Sequence, residues 1–179
     1  VWCGCGRTGR WFGYQHWCAD GRAPDIITMG KGLGGGMAVG AMCAQPRVAE
    51  LYDWRKYGVS KHATTLGGHA LGMAVATAIF DTIERDGLLA HAEAMHRRVA
   101  ERLARLGSAV REVRGRGLFI GIELAEGAGT GSDIVNRALD RGLVINATQG
   151  NVLRLAPALT ITAGLLDEGL GILEDVIRG

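Results

Sequence analysis

The sequence predicts an α/β fold built in two parts, with a boundary near residue 87. Three patterns carry that prediction. Short apolar runs at 25–29 and 38–44 flank a glycine-rich stretch, and a helix pattern follows over 70–85. Apolar residues then return every three or four positions, at Leu89, Ala92, Met95, Val99, Leu103 and Leu106, which marks an amphipathic helix. Further on, Leu118, Ile120, Ile122 and Leu124 alternate with their neighbours, as one face of a strand requires.

Taken in order, Asp25 to Met29 reads as a buried strand, entered after Pro24 and left at glycines. The segment Gly30 to Gly36 contains too much glycine for helix or strand and reads as a loop. Ala38 to Ala44 is a second strand, Val48 to Tyr57 a short helix, and Gly58 to Gly68 irregular. Ala70 to Arg85 is a long helix closed by Gly87. Its first half is apolar on all sides, so burial is expected there. The next helix carries Arg97, Arg98, Arg102 and Arg105 opposite its apolar stripe, a face expected to be solvated. Glu93 and Glu101 stand four residues before Arg97 and Arg105, a spacing suited to pairing along the helix. Val110 to Val113 and Leu118 to Leu124 are strands on either side of Arg114–Gly117. Asp133 to Arg141 is a helix ended by Gly142. Leu143 to Asn146 and Val152 to Leu155 are strands around a turn at Gly150–Asn151, and Leu165 to Ile177 is a closing helix capped by Thr162. Residues 1–87 hold pieces of a larger buried sheet and end in the long helix. Residues 88–179 form a smaller α+β domain.

Composition narrows the function. Hydrophobic residues make up 47% and charged residues 21%, which suits a globular protein rather than a disordered one. A net charge of +2 gives no reason to expect nucleic acid or an acidic membrane as partner. The longest apolar stretch, Ala70 to Phe80, is too short to span a bilayer. Four cysteines without a dense framework favour a reducing, cytoplasmic setting. Glycine, 29 residues in 179, is about twice its usual share. Such an excess points to tight turns and to places where backbone approaches a ligand. The opening residues, Val1 to Gly4, lack a helix or strand preamble, and a truncated start is expected.

Lys31 is the residue whose setting is hardest to explain as ordinary surface. It stands between Gly30 and Gly32 directly after an apolar strand, where no neighbouring side chain covers its amine. A lysine amine in a partly dry pocket gives up its proton more easily, and the neutral amine is the nucleophile that forms Schiff bases. A phosphate-binding or simply exposed lysine remains the alternative. A Walker phosphate loop fits badly, because Gly32 stands where that motif needs Ser or Thr for its metal.

Several segments together resemble the class III aminotransferases. Pro24 to Gly36 is similar to that family's cofactor-lysine segment and Gly4 to Phe12 to the loop upstream of it. His62 to Gly68 is similar to its phosphate-contacting segment, Val113 to Leu124 to its small-domain strands, and Asn151 to Pro157 to its carboxylate-binding strand. They follow the family's order and cover the whole chain. The resemblance implies a fold-type I transferase dependent on pyridoxal phosphate. Residues 1–87 would be the C-terminal part of its cofactor-binding large domain, and residues 88–179 its small C-terminal domain. It implies that Lys31 bonds the cofactor and then moves the proton between substrate carbon and cofactor. Thr65 would hydrogen-bond the phosphate across a homodimer interface, Val1 would pack on the pyridine ring, and Arg154 would grip the substrate α-carboxylate. The physics of Arg154 agrees, since a planar guanidinium pairs two-pronged with a carboxylate. Pattern alone also allows an arginine there that points to solvent, and a loop threonine at position 65. The implied reaction uses amino-acid and 2-oxo-acid substrates and passes an amino group from an ω-amino compound to 2-oxoglutarate. Ile145 to Thr148 and the Arg154 segment point to the members that use N-acetylornithine, in arginine biosynthesis. Ornithine, succinyldiaminopimelate and 4-aminobutyrate compete as donors.

The chain also departs from the family. The aspartate that partners the pyridine nitrogen would lie two positions ahead of Val1. Trp2 stands where glutamine is usual, Gly30 where alanine is, His69–Ala70 where Asn–Pro is, and Ala158 where a second proline is. The 179-residue chain alone is therefore expected to be inactive and poorly folded. Two rivals are weighed beside the enzyme. One is a non-enzymatic domain for partner binding or dimer formation. The other is a structural metal at Cys3, Cys5, His16 and Cys18, which the narrow C-x-C and H-x-C spacings disfavour, so no metal is expected.

Overall fold

The computed structural model describes residues 1–18 and 20–179. The chain divides into two compact units. One comprises Val1–Cys5 and Arg10–Asp86, the other Gly6–Gly9 and Gly87–Gly179.

The first unit is built on an antiparallel pair, β1 (Ile26–Met29) and β2 (Ala41–Ala44), in the register Ile26↔Ala44 to Met29↔Ala41. The linking glycine-rich segment is not wholly a loop, because Lys31–Gly34 makes one 3₁₀ turn. The expected helix over 48–57 is interrupted. It resolves into α1 (Pro46–Ala49), a 3₁₀ turn at Glu50–Tyr52 and α2 (Trp54–Tyr57). Asp53 is extended (φ −70°, ψ 103°) and its carboxylate accepts from the Arg55 N–H at 3.0 Å, so it restarts the helix instead of continuing it. The long helix α3 runs over Ala70–Arg85, with His69 Nδ1 accepting from the Gly72 N–H at 3.1 Å as its cap.

The expected burial in this unit is not met. In the first half of α3, Leu71 is 60% and Met73 43% exposed, and Ile26 on β1 is 46% exposed. The reason is the number of neighbours. A helix apolar all round needs cover on every side, and a buried strand needs a layer on each face. Here β1 has one partner strand, and the contacts described for α3 are with the Lys31–Gly34 turn and, through Phe80, with Trp11. Leu33 and Ile83 are buried.

The second unit has a substantial core. It opens with α4 (Leu88–Leu103), then β3 (Val110–Arg116) and β4 (Phe119–Leu124), α5 (Gly131–Asp140), β5 (Asn146–Thr148), β6 (Val152–Leu155) and α6 (Ala163–Arg178). The strands form an antiparallel sheet in the order β3-β4-β6-β5. Ile120, Ile122 and Leu124 of β4 and Leu153 of β6 share one face, which packs against Val99, Leu103, Ile134, Leu170, Leu173 and Val176 of the helices. The predicted alternation places Leu118, Ile120, Ile122 and Leu124 in the core, all at 3% exposure or less.

Three details differ from expectation. β3 extends through Gly115 and Arg116, so the turn into β4 is only Gly117–Leu118. β5 begins at Asn146 rather than Leu143, because the Leu143 N–H is taken up in capping α5 at Ala138 O (2.8 Å). The arginine face of α4 is not simply solvated. Arg98 pairs with Asp167, and Arg102 with Glu174 through two bonds of 2.7 and 2.8 Å. Asp167 and Glu174 lie seven residues apart, on one face of α6.

Candidate functional site

The first unit carries Lys31. Its backbone is left-handed (φ 51°), a conformation that costs a non-glycine residue about 1–2 kcal/mol. Strain of this kind collects at functional sites. The flanking glycines admit close neighbours. A Cβ on Gly30 would sit 3.7 Å from the Val1 side chain, and one on Gly32 would sit 3.7 Å from Cys5 Cβ. The Lys31 amine lies 5.3 Å from the centroid of the Trp2 ring, within cation–π range. Lys31 itself is exposed, so the first unit does not supply the partly dry pocket expected for it. A cleft of about 230 Å³ adjoins the loop and is lined by Val1, Cys3, Tyr14, Ile27, Met29 and Gly30 among others. Burial pushes the Cys5 thiol above its ordinary value. Val1 is 48% exposed. Thr65 lies in an exposed turn closed by the Gly67 N–H to Thr64 O bond at 3.1 Å. Among the described residues no hydrogen bond or ion pair joins Thr65 to the Lys31 loop. The structure thus brings Val1 and Trp2 beside that loop.

The second unit carries Arg154, on β6. The register sets Arg114, Gly121, Arg154 and Asn146 side by side across the four strands. This is the face opposite the core, since successive strand residues alternate. A cleft of about 330 Å³ opens over it, lined by Arg114, Phe119, Gly121, Thr148 and Arg154 among others. Arg154 is half-buried, and its Nε–H donates to Asn146 Oδ1 at 3.1 Å. Arg114 donates to Glu123 and to Glu112, each at 2.7 Å. Those bonds, Glu123's first, hold its guanidinium above the ordinary value, and Arg114 holds the Glu123 carboxyl below its own.

Sequence reasoning missed Arg7, which belongs to this unit. Its guanidinium is half-buried and donates to Leu118 O at 3.2 Å and to Pro157 O. Burial lowers its proton affinity. The Leu118 N–H returns a bond to Arg7 O at 2.9 Å. Nothing in Arg7's neighbours could have signalled these partners, which are backbone carbonyls more than a hundred residues away. Among the described residues no group of three His, Cys, Asp or Glu side chains could hold a metal ion, and no helix is long and apolar enough to cross a membrane.

The first unit thus carries a lysine strained between glycines at a strand end, and the second an arginine set in a cleft of an antiparallel sheet. The family model Aminotransferase class-III matches residues 1–177, and the chain belongs to that family. Its relatives include the acetylornithine aminotransferase of Caldanaerobacter subterraneus subsp. tengcongensis, 40% identical over 99% of this chain. The chain spans about 43% of the length of that relative. Among solved structures, the N-acetylornithine aminotransferase of Stenotrophomonas maltophilia superposes with a TM-score of 0.82 at 32% identity, over 99% of this chain and 45% of that one. The ornithine aminotransferase of Toxoplasma gondii, crystallised with partial occupancy of PLP at its active site, superposes at 0.85 with 27% identity, over 97% and 40%. The fold is therefore a partial segment of the α/β fold of these pyridoxal-phosphate-dependent transferases.

The donor set fits that cofactor. Lys31 offers a primary amine on a strained turn, Gly30 and Gly32 leave room for a ring to approach, and Val1 supplies an apolar surface beside Gly30.

Proposed function

We propose that this chain is the lysine-bearing and carboxylate-binding portion of an aminotransferase that moves the amino group of N-acetylornithine to 2-oxoglutarate. The observation that carries the reading is the left-handed Lys31 backbone between two glycines at the end of β1. Pyridoxal phosphate, when bound, supplies an aldehyde for an amine to attack and a ring that withdraws electrons from the reacting carbon. Lys31 would hold it through Nζ, Val1 would pack against its ring, and the Thr65 hydroxyl would donate to its phosphate from the partner subunit of a homodimer. The Lys31 amine would also be the base that takes the proton from the substrate's amino-bearing carbon. Arg154 would pair two-pronged with the substrate α-carboxylate and fix the orientation of that group. In this reading residues 1–87 belong to the cofactor-binding domain and residues 88–179 to the small domain of a cytoplasmic enzyme of arginine biosynthesis.

Borohydride treatment of the intact, cofactor-loaded protein followed by peptide mapping tests the assignment. The label is expected on Lys31, and a label on any other lysine overturns it. Turnover with acetylornithine, ornithine, succinyldiaminopimelate and 4-aminobutyrate ranks the donors, with acetylornithine expected first.

The exposed apolar side chains of the first unit, Trp17 at 73%, Leu66 at 72% and Trp54 at 62%, favour a second reading. In it the chain serves only to bind a partner or form a dimer. An intact protein that assembles but never transaminates any of the four donors would support it.

A further inference from the structure

The row Arg114–Gly121–Arg154–Asn146 contains a residue with no assigned task. Asn146 sits on β5, the edge strand, directly across from Arg154. Its amide oxygen accepts the Arg154 Nε–H at 3.1 Å, and both side chains are half-buried. A guanidinium can meet a carboxylate in two ways. Side-on pairing uses Nε and one terminal nitrogen, while end-on pairing uses the two terminal nitrogens. A partner on Nε removes the first and fixes the guanidinium plane for the second. Because an amide is neutral, it does this without cancelling the arginine's charge. The other arginine of the row, Arg114, donates to the carboxylates of Glu112 and Glu123.

We infer that Asn146 is a positioning residue for Arg154, one that selects end-on pairing with a carboxylate in the cleft over Gly121. The inference rests on Arg154 being the carboxylate-binding residue of the proposed function. Register makes the device economical. Asn146 and Arg154 are opposed Cα partners, so their side chains rise from the same face at the separation a cross-strand pair requires. Displacing the pairing by one residue would turn Asn146 to the core face and leave the guanidinium without this anchor.

The test uses the intact protein, with glutarate as a non-reacting carboxylate probe and 2-oxoglutarate as substrate. Asn146→Ala is expected to raise the glutarate inhibition constant and the KM for 2-oxoglutarate about tenfold, with kcat changed by less than about threefold. Asn146→Asp keeps shape and acceptor but adds a charge that competes for the guanidinium. It is expected to weaken glutarate binding more, about a hundredfold, and the loss should shrink as the introduced carboxyl is protonated. A merely structural role predicts the reverse order, because the isosteric variant would be the milder one. Glutarate binding within about twofold of the parent in Asn146→Ala, or a milder effect in Asn146→Asp, overturns the inference. Should Asn146→Ala fail to fold, the aspartate variant and its pH profile decide alone. Arg154→Lys separates the two levels. If it leaves glutarate binding unchanged, the role of Arg154 itself fails. If it weakens binding while the Asn146 variants do not, only the present inference fails.

Discussion

Gly117→Ala should be among the most damaging single-methyl additions in this chain. The new Cβ would lie 2.5 Å from the Thr8 carbonyl carbon and 2.7 Å from both Arg7 O and Thr8 Cα. These are backbone atoms, so no side-chain rotation relieves the clash. Gly117 also has φ +53°, where a side chain is strained. The left-handed backbone accounts for about 1–2 kcal/mol and overpacking for about 1–3 kcal/mol. Displacing Arg7 would break its bond to Leu118 O (3.2 Å) and the return bond from the Leu118 N–H (2.9 Å). Those two bonds are worth about 1 kcal/mol each. Together these come to about 4–7 kcal/mol. Gly142→Ala is the control, because Gly142 has φ +83° with nothing within 4 Å of its added Cβ, so only the backbone strain remains. Urea unfolding of the intact protein compares the two, with hydrogen exchange at the Leu118 amide as the local probe. A difference of about 3–5 kcal/mol is expected, together with faster exchange at Leu118 in Gly117→Ala alone. Equal costs for the two substitutions would refute the reasoning.

Leu153→Ala, at a position with 0% exposure in the centre of the second unit's core, should lower stability by about 2–5 kcal/mol, read as a shifted urea midpoint with an unchanged slope. Arg102 holds the Glu174 carboxyl below its ordinary value, chiefly through their hydrogen bond. A carboxyl depressed on folding contributes stability that is present above its unfolded value of about 4.3 and lost as pH falls through the folded one. Glu174→Gln should therefore cost about 1–2 kcal/mol at neutral pH. The unfolding midpoints of parent and variant should converge in acid, and a gap that persists there would contradict the sign. With the Lys31 amine resting over the Trp2 ring, Trp2→Gln should speed labelling of Lys31 by an amine-reactive probe about two- to fivefold in cofactor-free protein. Trp2→Phe should stay close to the parent, and equal labelling in all three proteins would rule out the ring contact.

Legibility followed the range of the interactions involved. The alternation in β4, the limits of α3 and the Thr162 cap on α6, which accepts from the Leu165 N–H at 3.3 Å, all depend on neighbours within a few residues. They could be read directly from the sequence. The broken helix at Asp53 and the late start of β5 are local too, but they turn on single bonds, Asp53 to the Arg55 N–H and the Leu143 N–H to Ala138 O. Pattern averages do not resolve a bond that competes with helix or strand. The exposure of Leu71 and Met73 escaped prediction because burial depends on what is packed alongside, which apolar character alone does not fix. Of the candidate site, the Lys31 segment was legible from its glycines and the Arg154 segment from its resemblance. The Arg7 anchor and the Asn146–Arg154 bond were not, since each joins residues whose meeting depends on register or on distant chain.

The early crossing of the chain has a consequence for biosynthesis. Gly6–Gly9 belongs to the second unit, while the residues on both sides of it belong to the first. Arg7 finds its acceptors at positions 118 and 157. As the polypeptide is made, that guanidinium must wait until position 157 before both of its carbonyls exist. Contacts so distant along the chain close slowly. The final locking of this short loop should therefore come late in folding.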